Sequence, residues 1–197
     1  MPPEFSVILP TMGDSPHLRS ALASALANSS DLEVLVVHDR RAGAPALDGD
    51  FLGDRRIRVV VSHAPGPSAA RNAGMRTARG ARLAFLDDDD LWLPSHLSWL
   101  AETIRLHPKA IMAASDARIF VDGSPDGSAW PPDPWDDLPR FRSDLAGGPI
   151  PLRVLLLANP ILTPTVVLVR ERLAPDDRFD ERLWAMEDYD LWLRLAV

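Results

Sequence analysis

Short apolar runs alternate with amphipathic stretches through most of this sequence, and that alternation narrows the fold more than any single motif does. Phe5 to Leu9 reads as a first buried strand ending at Pro10. Ser15 offers an N-cap, Pro16 a first helical position, and Leu18, Leu22 and Leu26 follow at a spacing of four. Leu32 to Val37 is a second strand ending at His38-Asp39, and Ile57 to Val61 a third. Ser68 opens a helix that Gly80 closes as a C′ residue. Leu83 to Leu86 is a fourth strand and runs straight into Asp87-Asp88-Asp89-Asp90. Pro94 starts a helix bearing Leu97, Leu100 and Ile104, and Ile111 to Ala114 and Arg118 to Val121 read as short strands. The expected fold is α/β: a Rossmann-like, mostly parallel sheet with helices on both faces.

The character changes from Asp122 to Pro151, a stretch rich in proline and acid that also holds Trp130 and Trp135. It is too long for an ordinary connection, so it is a functional loop or a disordered one. Regularity returns with a helix over Leu152 to Leu157, a strand over Thr165 to Val169 and a helix from about Glu187. The chain of 197 residues is read as one domain, with 1–121 binding a nucleotide and 122–197 on the acceptor side. Leu191, Trp192, Leu195 and Val197 carry an apolar pattern to the last residue without a stop signal, so further chain is expected beyond it.

Composition removes several function classes. A net charge of −7 without a basic stripe argues against a nucleic-acid partner. With no cysteine there is no disulfide, thiolate zinc site or cysteine nucleophile, which fits a reducing cytoplasm. The five histidines never fall at the i, i+4 spacing of a helical zinc site. Met1-Pro2-Pro3-Glu4 lacks the basic start of a signal peptide, and Asn159, Pro160 and Pro164 break the most apolar stretch, so no membrane span is expected.

In an open parallel sheet, ligands bind beyond the carboxyl ends of the strands. Those ends carry Pro10 and Thr11, Asp39, and the four aspartates. Crowded carboxylates suit a hard divalent cation, Mg²⁺ or Mn²⁺, but an acidic turn capping the next helix explains them too. Asp39 can accept from a nucleobase imide N–H, or simply form a turn. Glu187-Asp188-Tyr189-Asp190 offers a general base, or merely acids in a first helical turn. Arg71 can pair with a nucleotide or with a nearby carboxylate.

Five segments then occur in a telling order: Phe5-Ser-Val-Ile-Leu-Pro-Thr11, Leu32-Glu-Val-Leu-Val-Val-His-Asp39, Gly66-Pro-Ser-Ala-Ala-Arg-Asn-Ala-Gly74, Ala84-Phe-Leu-Asp-Asp-Asp-Asp-Leu-Trp-Leu-Pro94 and Met186-Glu-Asp-Tyr-Asp-Leu-Trp-Leu-Arg194. Together they resemble the family 2 glycosyltransferases of the GT-A fold. The resemblance implies inverting, metal-assisted transfer of a sugar from a nucleoside-diphosphate sugar to an acceptor hydroxyl. It implies that Pro10, Thr11 and Asp39 line the base and ribose pocket with Arg71 close by. Asp87 and Asp88 would meet the ribose and the metal shell, and Asp89 would be the principal metal ligand. Asp188 would be the general base, with Glu187 beside it. The acceptor would be a glycan, a lipid-linked molecule or a small molecule, and the expected location is the cytoplasm, with the acceptor allowing work at the inner face of a membrane. A homodimer is one expected assembly.

The chain departs from many relatives at one place, where His38-Asp39-Arg40-Arg41 stands for Asp-Asp-Gly-Ser. A non-catalytic nucleotide-binding scaffold therefore stays open as an alternative. A sugar-nucleotidyltransferase fits less well, because Met12-Gly13-Asp14-Ser15-Pro16 is not its glycine-rich basic loop.

Overall fold

A computed structural model describes residues 1–29, 31–40, 45, 47, 49–117 and 148–197. The expected strand over Arg118 to Val121, Arg41 and the tryptophans at 130 and 135 lie outside the described residues. The described strands are β1 (Phe5–Thr11), β2 (Leu32–Asp39), β3 (Ile57–Ser62), β4 (Arg82–Phe85), β5 (Met112–Ala114) and β6 (Val166–Val169). The helices are α1 (Leu18–Leu26), α2 (Gly49–Leu52), α3 (Pro67–Thr77), α4 (His96–Leu106), α5 (Leu152–Leu155) and α6 (Glu187–Leu195).

The strands form one sheet in the order β3-β2-β1-β4-β6-β5. β1 pairs in parallel with β2 and β4, and β2 with β3, while β6 runs antiparallel to both β4 and β5. The side-chain period of two sorts each strand's residues onto two faces. Val7, Leu9, Val34, Val36 and Ala84 pack under Leu18 and Leu22 of α1 and Leu97 and Leu100 of α4. Ile8, Leu35, Val37, Leu83 and Phe85 pack under Ala70 and Ala73 of α3, Phe179, and Leu191 and Trp192 of α6. Cover on both faces is why β1 and β2 read as unbroken apolar runs. No described helix is long and apolar enough to cross a membrane.

Several boundaries differ from the sequence reading, each for a local reason. α1 begins at Leu18 with His17 at the N-cap. Ser15 is not its cap: its hydroxyl accepts from the His17 N–H at 3.3 Å and donates to the Asp88 carbonyl at 3.1 Å. α4 begins at His96 rather than Pro94, because Ser95 turns the chain in the left-handed region at φ 72°. α5 is one turn, ending at Leu155. α3 ends at Thr77, and Ala78 leaves it with extended backbone. Gly80 is therefore not its C′ residue; it passes so close to β1 that a Cβ there would lie 2.6 Å from the Ser6 amide nitrogen.

That close approach belongs to a polar network at the amino edge of the sheet. Ser6 Oγ donates to Glu33 Oε1 at 2.7 Å, and the same hydroxyl accepts from the Gly80 N–H at 2.8 Å. The Arg79 N–H and Arg58 Nη1 donate to the two Glu33 oxygens at 2.7 and 2.6 Å. Burial works to raise the Glu33 pKa, but Ser6, Arg58 and the Arg79 N–H outweigh it and hold the carboxyl below its ordinary value.

Candidate active site

The carboxyl edge of the sheet gathers the predicted residues. β1 ends at Thr11 and β2 at Asp39, each 7% exposed. β4 ends at Phe85, and the buried Leu86 leads into the aspartates. α6 approaches from the other side with Glu187 and Asp188 in its first turn. Met186, its N-cap, stands in the left-handed region at φ 61°, which directs the chain into the helix.

Arg71 joins these pieces. It projects from α3, is 5% exposed, and donates Nη2 to Asp87 Oδ1 and Nη1 to Glu187 Oε1, both at 2.8 Å. Its guanidinium lies 5.4 Å from the centroid of the Phe179 ring. Burial works against the cation, but Asp87 and Glu187 prevail and raise its pKa. Both Nη groups are thus engaged by protein, and Nε is buried with no hydrogen-bond partner among the described residues. Of the two roles open to Arg71 from sequence, the structure shows the pairing with nearby carboxylates: it clamps the two acidic clusters together.

The aspartates are not equivalent. Asp88 Oδ2 accepts from Thr11 Oγ1 at 2.5 Å, and Thr11 Oγ1 accepts in turn from the Gly13 N–H at 2.9 Å. Burial raises the Asp88 pKa; Thr11 opposes the rise, and the charges of Asp89, Asp87 and Asp14 add to it. Asp90 is pushed up to about 6 by burial and by Asp87 and Asp89. Asp89 is exposed. The loop therefore holds excess negative charge, with Asp87 alone paired to a cation in the described structure.

A divalent cation fits this donor set in one way. Among the described residues no three His, Asp or Glu side chains converge to hold a metal. Mg²⁺ and Mn²⁺ sites of the substrate-assisted kind need only one or two carboxylates plus phosphate oxygens. The exposed Asp89 suits that role, and Asp87 brings one oxygen already committed to Arg71.

Three residues given no role from sequence help to build the site. Asn72 follows Arg71 on α3; its amide accepts from the Phe179 N–H and donates to the Phe179 carbonyl and Glu181, fastening the segment before α6. Asn159 and Thr163 both donate to the Asp188 carboxylate. The adjacency of Asn72 to Arg71 was a readable signal, whereas Asn159 and the proline after Thr163 entered the sequence reading only as breaks in an apolar stretch. His38 lies in β2 beside Thr11, and its Nδ1 is 3.2 Å from the Asp39 carbonyl.

An α/β sheet carrying acidic residues at its carboxyl edge, capped by an acidic helix N-terminus, is the arrangement of a GT-A glycosyltransferase. TarS of S. aureus, solved with UDP, superposes with a TM-score of 0.71 at 20% identity, over 98% of this chain and 55% of that one. The mannosyltransferase PcManGT of Pyrobaculum calidifontis, solved with GDP-Man and Mn²⁺, gives 0.65 at 20% identity, over 100% and 52%. These likenesses establish the fold. Residues 6–170 match the model of glycosyl transferase family 2, and the chain belongs to that family. It is similar to the amylovoran biosynthesis glycosyltransferase AmsB of Erwinia amylovora, 30% identical over 96% of this chain and 63% of that protein. It is also similar to the uncharacterized glycosyltransferase EpsJ of Bacillus subtilis, 35% identical over 61% and 38%. The chain thus spans less than two thirds of either relative.

Proposed function

We propose that this domain transfers a sugar from a nucleoside-diphosphate sugar to an acceptor hydroxyl with inversion at the anomeric carbon. The observation that carries this reading is the Arg71 bridge, which brings the strand-end acid Asp87 and the helix acid Glu187 onto one guanidinium. Donor-side and acceptor-side groups then lie together at one edge of the sheet, as a single displacement requires. UDP in TarS and GDP-Man with Mn²⁺ in PcManGT support a sugar nucleotide as the donor.

Pro10, Thr11 and Asp39 hold the base and ribose, with Asp39 suited to the ring N–H of uracil, thymine or guanine. Asp88, locked by Thr11, and Asp87, locked by Arg71, shape the ribose side of the site. Asp89 is the residue that would hold a divalent cation, with Asp87 as its second carboxylate. When bound, the cation supplies neutralisation of charge developing on the diphosphate leaving group. Asp188 takes the acceptor O–H proton as that oxygen bonds to the anomeric carbon, and the bond from that carbon to the diphosphate oxygen breaks on the opposite face. Glu187 stays with Arg71 and lines the acceptor side. The acceptor class is a glycan, a lipid-linked molecule or a small molecule.

Two measurements test the reading. Calorimetry with UDP, GDP and dTDP, with and without Mn²⁺, is expected to show metal-enhanced binding of one of them. Nucleoside diphosphate release from the matching sugar nucleotide is expected to depend on Asp188. A protein that binds the nucleotide yet never turns over a donor is the scaffold instead.

A further inference from the structure

We infer that Thr163 is the positioning residue for Asp188, and that Asp188 Oδ2 is the oxygen that receives the acceptor proton; this rests on reading Asp188 as the base. A carboxylate oxygen offers two lone-pair sites. Oδ1 accepts from the Tyr189 N–H at 2.6 Å and from Asn159 Nδ2 at 3.3 Å, so both of its sites are taken. Among the described residues, Oδ2 accepts from Thr163 Oγ1 alone, at 3.1 Å. One lone pair of Oδ2 stays available for an incoming hydroxyl, while the Thr163 hydroxyl stops the carboxylate from rotating.

Thr163 suits this work because its own place is set by the sheet. It is 5% exposed and opens a short 3₁₀ turn, Thr163–Thr165, that leads directly into β6. β6 is zipped to β4, whose end delivers Asp87 to Asp90. A second tie reaches the same point from the far side of the aspartates, where Trp92 Nε1 donates to the Pro164 carbonyl at 2.8 Å. Tyr189 adds a third, its hydroxyl donating to the Leu155 carbonyl of α5. The donor loop and the base are therefore registered through Pro164 and Thr163, although Asp188 lies about a hundred residues from the aspartates in sequence. A base held this way keeps its distance from the anomeric carbon, and small misplacements of a reacting group cost rate steeply.

The test uses the full-length protein and the donor it turns over fastest among UDP-glucose, UDP-N-acetylglucosamine, GDP-mannose and dTDP-rhamnose, with Mn²⁺. Thr163→Val, Thr163→Ser and Asp188→Asn are compared for kcat, for KM of the donor, for affinity for the matching nucleoside diphosphate and for thermal unfolding. Thr163→Val is expected to lower kcat about tenfold or more, a part of the roughly 10²- to 10⁴-fold that a general base supplies. Donor KM and nucleotide affinity should stay within about twofold, and Thr163→Ser should restore kcat because it keeps the hydroxyl. Thr163→Ala removes the same donor without valine's second methyl and replaces Thr163→Val if that variant does not fold. Native kcat in a folded Thr163→Val or Thr163→Ala protein, beside a nearly inactive Asp188→Asn, overturns the positioning role and leaves the base in place. Native kcat in Asp188→Asn overturns the base reading itself.

Discussion

Arg71 and Glu187, separated by 116 positions in sequence, meet at 2.8 Å, and the other arm of the same guanidinium holds Asp87. The exposures of the three side chains are 6%, 13% and 30%, so the cation and one of its partners are largely desolvated. Removing one member of such a cluster leaves uncompensated charge, which costs more than the cluster contributes by existing.

Arg71→Met is accordingly expected to destabilise the fold by about 3 kcal/mol, the lower part of the range for breaking a buried ion pair. Urea denaturation of the two proteins measures it. Glu187→Gln should cost less, since Arg71 keeps Asp87. A loss in Arg71→Met beside no loss in either Glu187→Gln or Asp87→Asn would show that the arginine's role is packing against Phe179 rather than pairing.

Asp89→Asn is expected to abolish most of the Mn²⁺-dependent gain in nucleoside diphosphate affinity while leaving the unfolding midpoint unchanged. The physical basis is its exposure and its freedom from protein hydrogen bonds among the described residues, in contrast to Asp87 and Asp88. Calorimetry with and without Mn²⁺ decides the matter. Retained metal enhancement would remove Asp89 from the site.

His96 makes stability depend on acid. It stacks on Trp92 with centroids 4.8 Å apart, its Nε2 has no hydrogen-bond partner among the described residues, and burial pushes its pKa down to about 4. The unfolded chain, with an ordinary histidine near 6.5, takes up the proton first as pH falls. Stability from this group is therefore whole above pH 6.5, falls between about 6.5 and 4, and changes no further below that. The full loss is on the order of 3 kcal/mol. Unfolding followed at pH 7, 5.5 and 4.5 in wild type and His96→Gln should show a shallower acid slope in the variant. Parallel slopes would count against it.

Gly80→Ala is expected to destabilise by roughly 1–3 kcal/mol, as overpacking does. The added Cβ meets the backbone of β1 at Ser6 and Phe5, which cannot move without disturbing the strand pairing. Gly53→Ala, with open space around it, is the control and should be nearly neutral. A neutral Gly80→Ala would mean that the turn after α3 relaxes freely.

The sheet was legible because its central strands β1 and β2 are buried on both faces, and burial on both faces writes unbroken apolar runs such as Phe5 to Leu9 and Leu32 to Val37 into the chain. The positions of the acids were legible for a related reason, since the polar residue that follows each run must emerge at one edge of a parallel sheet. Helix ends were read less well. Ser15 and Gly80 look like cap residues, but the hydroxyl of one is drawn to Asp88 and the missing side chain of the other makes room for β1.

By itself, then, the sequence determined the α/β alternation, the two-sided core and the acidic carboxyl edge, because these follow from local periodicity and solvent exclusion. Tertiary structure alone decided which acid pairs with which cation, and that Asn159 and Thr163 grip Asp188. It decided too that Asp87 is spent on Arg71 while Asp89 stands exposed. Such contacts join residues 16 to 116 positions apart through side-chain hydrogen bonds a few ångströms long. Periodicity carries no record of them, because they depend on how the finished elements are set against one another.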